Sequence, residues 1–359
     1  MPDLAPAHAA RMAPGRVRLL GLGLALPGPA VSTEALCERL ARRFGVPAHR
    51  MGRRLAPRLQ VHTRHLCRDF EHAVEAPRAG HRNADLAVQA AQQALAQAGL
   101  AAPELGYLLT HTATPGQALP AGSAEVAQRL GGVGAHAEFR QACTGFASAL
   151  QMAFALLREP GAAPVLIVGS EVGSVYFDPT RLAQDPSQWV NALQMGDGAA
   201  AALLGPDDAT AGPRLSHAYF GQLLHPPAPG LRLPAGGSDQ VGLHGVAQFA
   251  HDFDSVRRHG LGLLEAGRDL LAAHGHALAM ARLVIPHQAS GRVAAVVAEH
   301  FGLEAARVSA HGQRVGNLGS ASIWAAVADA FPRLRPGDTA LVLGAEATQH
   351  SFGGFALQR

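Results

Sequence analysis

The sequence predicts a duplicated α/β chain folded as an α/β/α/β/α five-layer sandwich, and three observations carry that prediction. Strands and helices alternate along the 359 residues, which requires sheets covered by helices on both sides. The helix opening near Cys143 is apolar nearly all round, with no charge before Arg158, so it belongs inside the molecule. The chain also repeats itself. Cys143-Thr-Gly-Phe-Ala-Ser-Ala-Leu is followed by Pro-Gly and the strand Pro164-Val-Leu-Ile-Val-Gly-Ser-Glu171. Asn317-Leu-Gly-Ser-Ala-Ser-Ile-Trp is followed by Pro-Gly-Asp and Ala340-Leu-Val-Leu-Gly-Ala-Glu346. Upstream, Leu108-Leu-Thr-His111 matches the run that ends at His287. Self-similarity at a fixed offset marks a repeated structural unit. The expected division is residues 1–205, carrying the cysteine, and 206–359, carrying His287 and Asn317.

Taken in order, residues 17–25 form a first buried strand. The apolar run at 19–26 follows Arg11, Arg16 and Arg18 as a signal-peptide core would, yet at eight residues it is short for one and suits a strand. Gly21-x-Gly23 lacks the third glycine and following helix of a dinucleotide site. Ser32 or Thr33 caps a helix reaching about Phe44. Residues 45–82 are rich in Arg and His and poorly periodic, and read as a solvated polar segment; His62-x-x-His65-x-Cys67 within it fits no zinc spacing. A helix from Asn83 or Asp85 to Ala98 closes at Gly99. Then come a strand at 105–110, a helix at 123–130, a strand at 137–140, the Cys143 helix and a strand at 165–168. Asp197, in Gly196-Asp197-Gly198-Ala199, reads as a turn residue bonding local backbone before an apolar strand. Residues 205–245, rich in Pro and Gly, read as a surface excursion joining the halves. A helix at 255–273 follows, and then the second unit begins.

Composition narrows the function. All thirty basic residues are Arg, and residues 1–82 hold 14 of them against 6 acids, a balance of +8 in a chain whose net charge is +3. A basic N-terminal quarter points to an acidic partner, a phosphate-bearing ligand or an acidic carrier domain. Nucleic acid is disfavoured, since aromatics are only 5% of the chain and no nucleic-acid motif is present. Three cysteines (Cys37, Cys67, Cys143) make no disulfide framework and fit a reducing, cytoplasmic setting. No apolar run of the length a membrane crossing needs is present.

Cys143 opens a buried helix, where aligned peptide dipoles favour thiolate over thiol. With His287 and Asn317 it supplies a nucleophile, a base or hydrogen-bond donor, and an amide donor. Cysteine proteases use the same three residue types in the same order, but the protease context around the cysteine is missing.

Five segments together resemble a known family: Ala142-Cys143-Thr-Gly-Phe, Gly196-Asp197-Gly198-Ala199, Ile285-Pro286-His287-Gln288-Ala289, Gly316-Asn317-x-x-Ser320-Ala-Ser and Phe352-Gly353-Gly354. They resemble the type III β-ketoacyl-acyl-carrier-protein synthases of the thiolase fold, from about Val17 to the end of the chain. The resemblance implies that Cys143 takes an acyl group from a thioester. It places the oxyanion in a hole formed by the N–H groups of Cys143 and of Gly353 or Gly354. It gives His287 and Asn317 the task of bonding the carbonyl of a malonyl thioester as decarboxylation produces an enolate, so that a β-ketoacyl product forms. It implies a homodimer in which Leu119 reaches an acyl pocket across the interface. It puts Arg181 against coenzyme A, and Arg292, with Ser290 beside it, at the carrier-protein entrance. Acyl-CoA or acyl-carrier-protein thioesters are then substrates, and no metal or redox cofactor is implied. The sequence departs from the family in having no Trp near residues 50–65, Ser290 in place of Asn, and two rather than three terminal glycines. Those departures keep two alternatives open: an acyltransferase that passes the acyl group to an alcohol or amine, and a silent subunit of a heterodimer.

Overall fold

A computed structural model describes residues 8–233 and 248–359, other than 160, 186 and 209. The expected excursion at 205–245 therefore lies partly outside the described residues. In chain order the elements are β1 (His8–Met12), β2 (Arg16–Ala25), β3 (Val31–Ser32), α1 (Thr33–Phe44), α2 (Ala48–Leu59), β4 (Thr63–Arg64), α3 (Asn83–Ala98), β5 (Tyr107–His111), α4 (Gly122–Arg129), β6 (His136–Phe139), α5 (Gly145–Leu156), β7 (Val165–Glu171) and α6 (Gln188–Gln194). They continue with β8 (Gly198–Pro206), β9 (Arg214–Leu223), β10 (Leu231–Arg232), β11 (Ala250–His251), α7 (Phe253–Ala273), β12 (Leu283–Pro286), α8 (Val293–His300), α9 (Gly312–Val315), α10 (Ser322–Ala330), β13 (Thr339–Glu346) and β14 (Ser351–Gln358).

The main sheet runs β12-β13-β14-β9-β2-β8-β7-β5-β6, with β1 alongside β9. Only β12/β13, β5/β7 and β5/β6 are parallel pairs; the pairs through the middle are antiparallel. The sheet is thus mixed. Its two arms meet where Arg16, Val17 and Arg18 of β2 pair with Ser216, Leu215 and Arg214 of β9.

Five layers follow from what each face buries. Between the arms lie α5 and α10, whose Phe146, Phe154 and Trp324 pack in one cluster with Ile167 and Leu204 from one arm and Ile285, Val342 and Phe355 from the other. Each such aromatic is worth about 3–5 kcal/mol against alanine. Outside one arm, Leu86, Ala90 and Ala91 of α3 pack on Leu108, Val168 and Leu203. Outside the other, Leu263, Leu264 and Leu271 of α7 and Val297 of α8 pack on Val284, Leu341 and Leu343. The Gly21-x-Gly23 pair is explained here: a Cβ would stand 2.2 Å from the Ala94 carbonyl oxygen at Gly21 and 1.9 Å from that of Ala90 at Gly23. These glycines let α3 lie directly on β2.

Local signals placed most ends well. The Ser32 hydroxyl accepts from the Ala35 N–H, and Gly99 ends α3 in the left-handed region at φ 67. Two segments differ from expectation. Residues 48–59 are a helix, α2, with Ala48 and Gly52 buried and Pro57 in its last turn, a residue that hides helical periodicity. Residues 214–223, inside the expected excursion, are the central strand β9. Among the described residues no helix is long and apolar enough to cross a membrane.

Candidate active site

Cys143 lies in the turn before α5, His287 directly after β12, and Asn317 between α9 and α10. All three line one cavity of about 360 Å³, whose wall continues along Phe253, Val256 and Leu264 of α7 and Val293 and Val297 of α8. The cavity brings together the three residues expected to carry the chemistry, with Cys143 only 9% exposed.

His287 and Asn317 are held by backbone. The His287 N–H donates to the Leu343 carbonyl of β13 at 2.8 Å. The Asn317 N–H donates to the Gln194 carbonyl at 2.8 Å, and its own carbonyl accepts from the Gly196 N–H at 3.0 Å. The Asn317 side-chain Oδ1 accepts from the Gly319 N–H (3.0 Å) and the Ser322 hydroxyl (3.3 Å). That orientation commits the oxygen to protein and leaves the Nδ2 amide as the group available to a ligand.

Two buried glutamates fix the helix starts, and they do so crosswise. Glu346 ends β13, and its Oε2 accepts from the N–H (2.7 Å) and hydroxyl (2.6 Å) of Thr144, next to the nucleophile. The Thr348 hydroxyl donates to the other oxygen. Glu171 ends β7, and its Oε2 accepts from the N–H (3.0 Å) and hydroxyl (2.8 Å) of Ser320, next to Asn317's helix. Gly319 makes room for it, since a Cβ there would meet the Glu171 carboxylate at 2.5 Å. These glutamates carry the geometry of the site. The signal was the repeated Gly-(Ser/Ala)-Glu at each strand end.

Electrostatics differ from the dipole expectation. Burial, reinforced by the Glu346 and Glu171 carboxylates, pushes the Cys143 thiol well up, against a smaller opposing effect of its own N–H. The resting group is therefore the thiol. Burial pulls His287 down to about 4, so its imidazole is neutral near pH 7, and its Nδ1 has no partner among the described residues. His111, which echoes His287 in the sequence, is also pulled down to about 4 by burial. It is sealed between Gly145 and Gly169, outside the cavity wall.

The remaining expected residues divide. Ser290 and Arg292 line the mouth of the cavity. Arg181 is exposed and stands apart from it, and Leu119 is 84% exposed on the surface. Gly353 and Gly354 do not supply an oxyanion donor. They sit inside β14, paired to Gly344 and Leu343 on one side and to Phe220 and Tyr219 on the other. A Cβ on Gly353 would meet Ala147 at 2.4 Å, and neither glycine lines the cavity. The wall there is the turn 347–350, with Ala347, Thr348 and His350 facing the cavity. His350 takes the left-handed conformation at φ 48 that such a turn demands, without glycine. Asp197 is not a local turn residue either: fully buried, it accepts from the N–H groups of Cys67 (2.7 Å) and Ser174 (2.9 Å), tying distant segments beneath the site.

The chain is similar to known proteins over most of its length. Residues 137–221 match the 3-oxoacyl-[acyl-carrier-protein] synthase III family and residues 271–357 its C-terminal part. The 3-oxopimeloyl-[acyl-carrier-protein] synthase of Rhodothermus marinus is 33% identical over 94% of this chain and 92% of its own. A beta-ketoacyl-[acyl-carrier-protein] synthase III of Nitratidesulfovibrio vulgaris is 32% identical over 77% of this chain and 82% of its own. Among solved structures, a tetronic acid condensing enzyme superposes with a TM-score of 0.85 at 29% identity, covering 96% of this chain and 100% of that one. The 3-oxoacyl-(acyl carrier protein) synthase III of Pseudomonas aeruginosa gives 0.77 at 28% identity, over 96% and 98%. With a third of its residues shared over nearly its whole length and the same layered fold, this chain belongs to the type III ketosynthase-like condensing enzymes of the thiolase superfamily.

Proposed function

We propose that the protein transfers an acyl group from a thioester to Cys143 and condenses it with a malonyl thioester, releasing CO₂ and a β-ketoacyl product. The observation that carries the reading is the convergence of Cys143, neutral His287 and the free amide of Asn317 on one largely apolar cavity. In the first half-reaction the Cys143 sulfur bonds the acyl carbon, the carbon–sulfur bond of the donor breaks, and the thiol proton leaves with the departing thiol. The raised Cys143 pKa makes that proton's removal part of the attack. His287, beside it in the cavity and neutral, is the group that can take the proton in passing.

In the second half-reaction the bond from the malonyl carbon to its carboxylate breaks, and the electron pair becomes an enolate. Two hydrogen-bond donors aimed at the enolate oxygen, His287 and Asn317 Nδ2, stabilise charge as it develops; each is typically worth about 3 kcal/mol in such a site. The enolate carbon attacks the acyl-Cys143 carbonyl, and the cysteine leaves and is reprotonated from solvent. We assign the oxyanion's donors to the Cys143 N–H and a backbone N–H of the turn 347–350, because Ala347, Thr348 and His350 line the cavity together with Cys143. So written, the reaction uses no bound metal or redox group. Two copies of the chain, each covering the other's Leu119, form the working unit.

Intact-protein mass spectrometry of wild type and Cys143→Ala tests this, using acyl-CoA and acyl-carrier-protein donors followed by a malonyl thioester. An adduct on wild type alone that is discharged with release of β-ketoacyl product is the expected result. An adduct that survives malonyl but yields to an alcohol or amine would make the enzyme a simple acyltransferase. No adduct from any donor would leave the silent-subunit reading standing.

A further inference from the structure

The mouth of the cavity is flanked by an arrangement that the chemistry above does not use. From Arg39 to Arg68 the chain holds nine arginines and no Asp or Glu. Four of them, Arg50, Arg53, Arg54 and Arg58, are on α2, and all four are exposed. Among the described residues none of the four makes an ion pair or a side-chain hydrogen bond, although Glu34 and Glu38 share a groove with Arg53. Arg50, Arg54 and Arg58 are four apart, so they form one stripe along the helix, about 12 Å long. Like charges at that spacing repel, which disfavours the helix unless something opposite lies over it. The stripe leads to the cavity: the Leu59 carbonyl at the end of α2 accepts from the N–H of Arg292, which lines the mouth, and a Cβ on Gly291 would stand 1.9 Å from the Gln60 carbonyl oxygen.

We propose that the Arg50–Arg54–Arg58 stripe of α2 is the docking surface for an acidic carrier protein that brings its acyl thioester to the mouth beside Arg292. The geometry favours a protein surface over a nucleotide. Guanidinium groups spaced along a ridge match carboxylates spaced along a helix, each pair able to bond in a bidentate fork. They do not converge on a single phosphate, and residues 45–62 contain no Phe, Tyr or Trp on which a base could stack. The inference rests on the thioester reading of Cys143.

The test compares wild type with Arg50→Glu/Arg54→Glu and with the milder Arg50→Gln/Arg54→Gln. Octanoyl transfer to Cys143 is followed from three donors: an octanoyl-loaded bacterial acyl carrier protein, octanoyl-CoA and octanoyl-N-acetylcysteamine. Binding of the loaded carrier to immobilised enzyme is measured alongside by interferometry. The expected result for charge reversal is a KM for the carrier donor raised at least tenfold. Carrier binding weakens in parallel, the Gln pair lies between, high salt erases the difference, and kcat and the N-acetylcysteamine reaction stay unchanged. Equal losses with all three donors would make the stripe structural, and a loss with octanoyl-CoA alone would make it a nucleotide site. Carrier binding that is absent in wild type or unchanged in the variants would also overturn the proposal. If wild type binds carrier through the stripe but no donor acylates Cys143, the docking surface stands and the thioester chemistry falls.

Discussion

Glu346 sits where stability and reactivity are set by the same carboxylate, so replacing it gives a two-sided prediction. Glu346→Ala strips the acceptor from two buried donors, the Thr144 N–H and hydroxyl. An orphaned buried donor costs about 1–3 kcal/mol, so the variant should lose about 3 kcal/mol of stability and slow acylation of Cys143 by loosening the turn that presents it. Glu346→Gln keeps an oxygen in place and loses only the charge, for about 1 kcal/mol. Reactivity moves the other way. The Glu346 charge helps hold the Cys143 thiol up, so both variants shift its ionisation to lower pH. The assay is the rate of iodoacetamide alkylation of Cys143 against pH, with thermal unfolding run in parallel. In Glu346→Gln the alkylation profile should move to lower pH while the fold is nearly intact. A profile that stays put or moves to higher pH, or a Glu346→Ala protein as stable as wild type, would refute the argument that this carboxylate both anchors and restrains the nucleophile.

Other outcomes follow from the same structure. His111 and His287 are pulled down to about 4 by burial, so between about 6.5 and 4 the unfolded chain binds more protons than the folded one. Stability should therefore be full above about pH 6.5 and fall as pH drops toward 4, by on the order of 3 kcal/mol for each histidine, read as denaturation midpoints across that range. Acylation of Cys143, in which neutral His287 takes the thiol proton, should hold its rate from pH 8 down to about 5 and decline as His287 protonates, whereas His287→Asn should remove that acid limb. Gly353→Ala, whose new Cβ would stand 2.4 Å from Ala147, should lower the melting temperature by several degrees without a selective loss of acylation, as a strand position rather than an oxyanion donor. Leu119→Asp should shift the protein from dimer to monomer in light scattering; a wild type that is monomeric removes the role given to Leu119.

The legible parts of the molecule were those where one residue type has one physical meaning. The unbroken apolar run after Cys143 could only be a buried helix, and Gly99 could only end one. That Cys143, His287 and Asn317 share one cavity was readable because their segments each pair a polar residue with a strand end or helix start. What escaped was backbone that breaks the usual signs. Pro57 and the arginines of α2 concealed a helix whose buried side is small, Ala48 and Gly52. Pro and Gly around β9 suggested a surface loop, while the strand between them crosses the middle of the sheet. At the end of the chain, glycine drew the oxyanion expectation to Gly353 and Gly354. The turn that faces the cavity lies just before them and puts His350, a residue without glycine's signature, in the left-handed conformation.

The crosswise glutamates explain why the working site cannot be built by either run of elements alone. Glu171, from the strand that follows the Cys143 helix, fixes the start of the Asn317 helix; Glu346, from the strand that follows the Asn317 helix, fixes the start of the Cys143 helix. Each reactive position is therefore set by a carboxylate from the other arm of the sheet. The same arrangement separates the two histidines that the sequence repeats. His111 packs against the helix start at Gly145 and is closed off, whereas His287 opens on the cavity with Cys143. One arm presents Cys143 and the other presents His287 and Asn317, so in the proposed reaction acyl capture and enolate stabilisation would draw on groups that never compete for the same helix terminus.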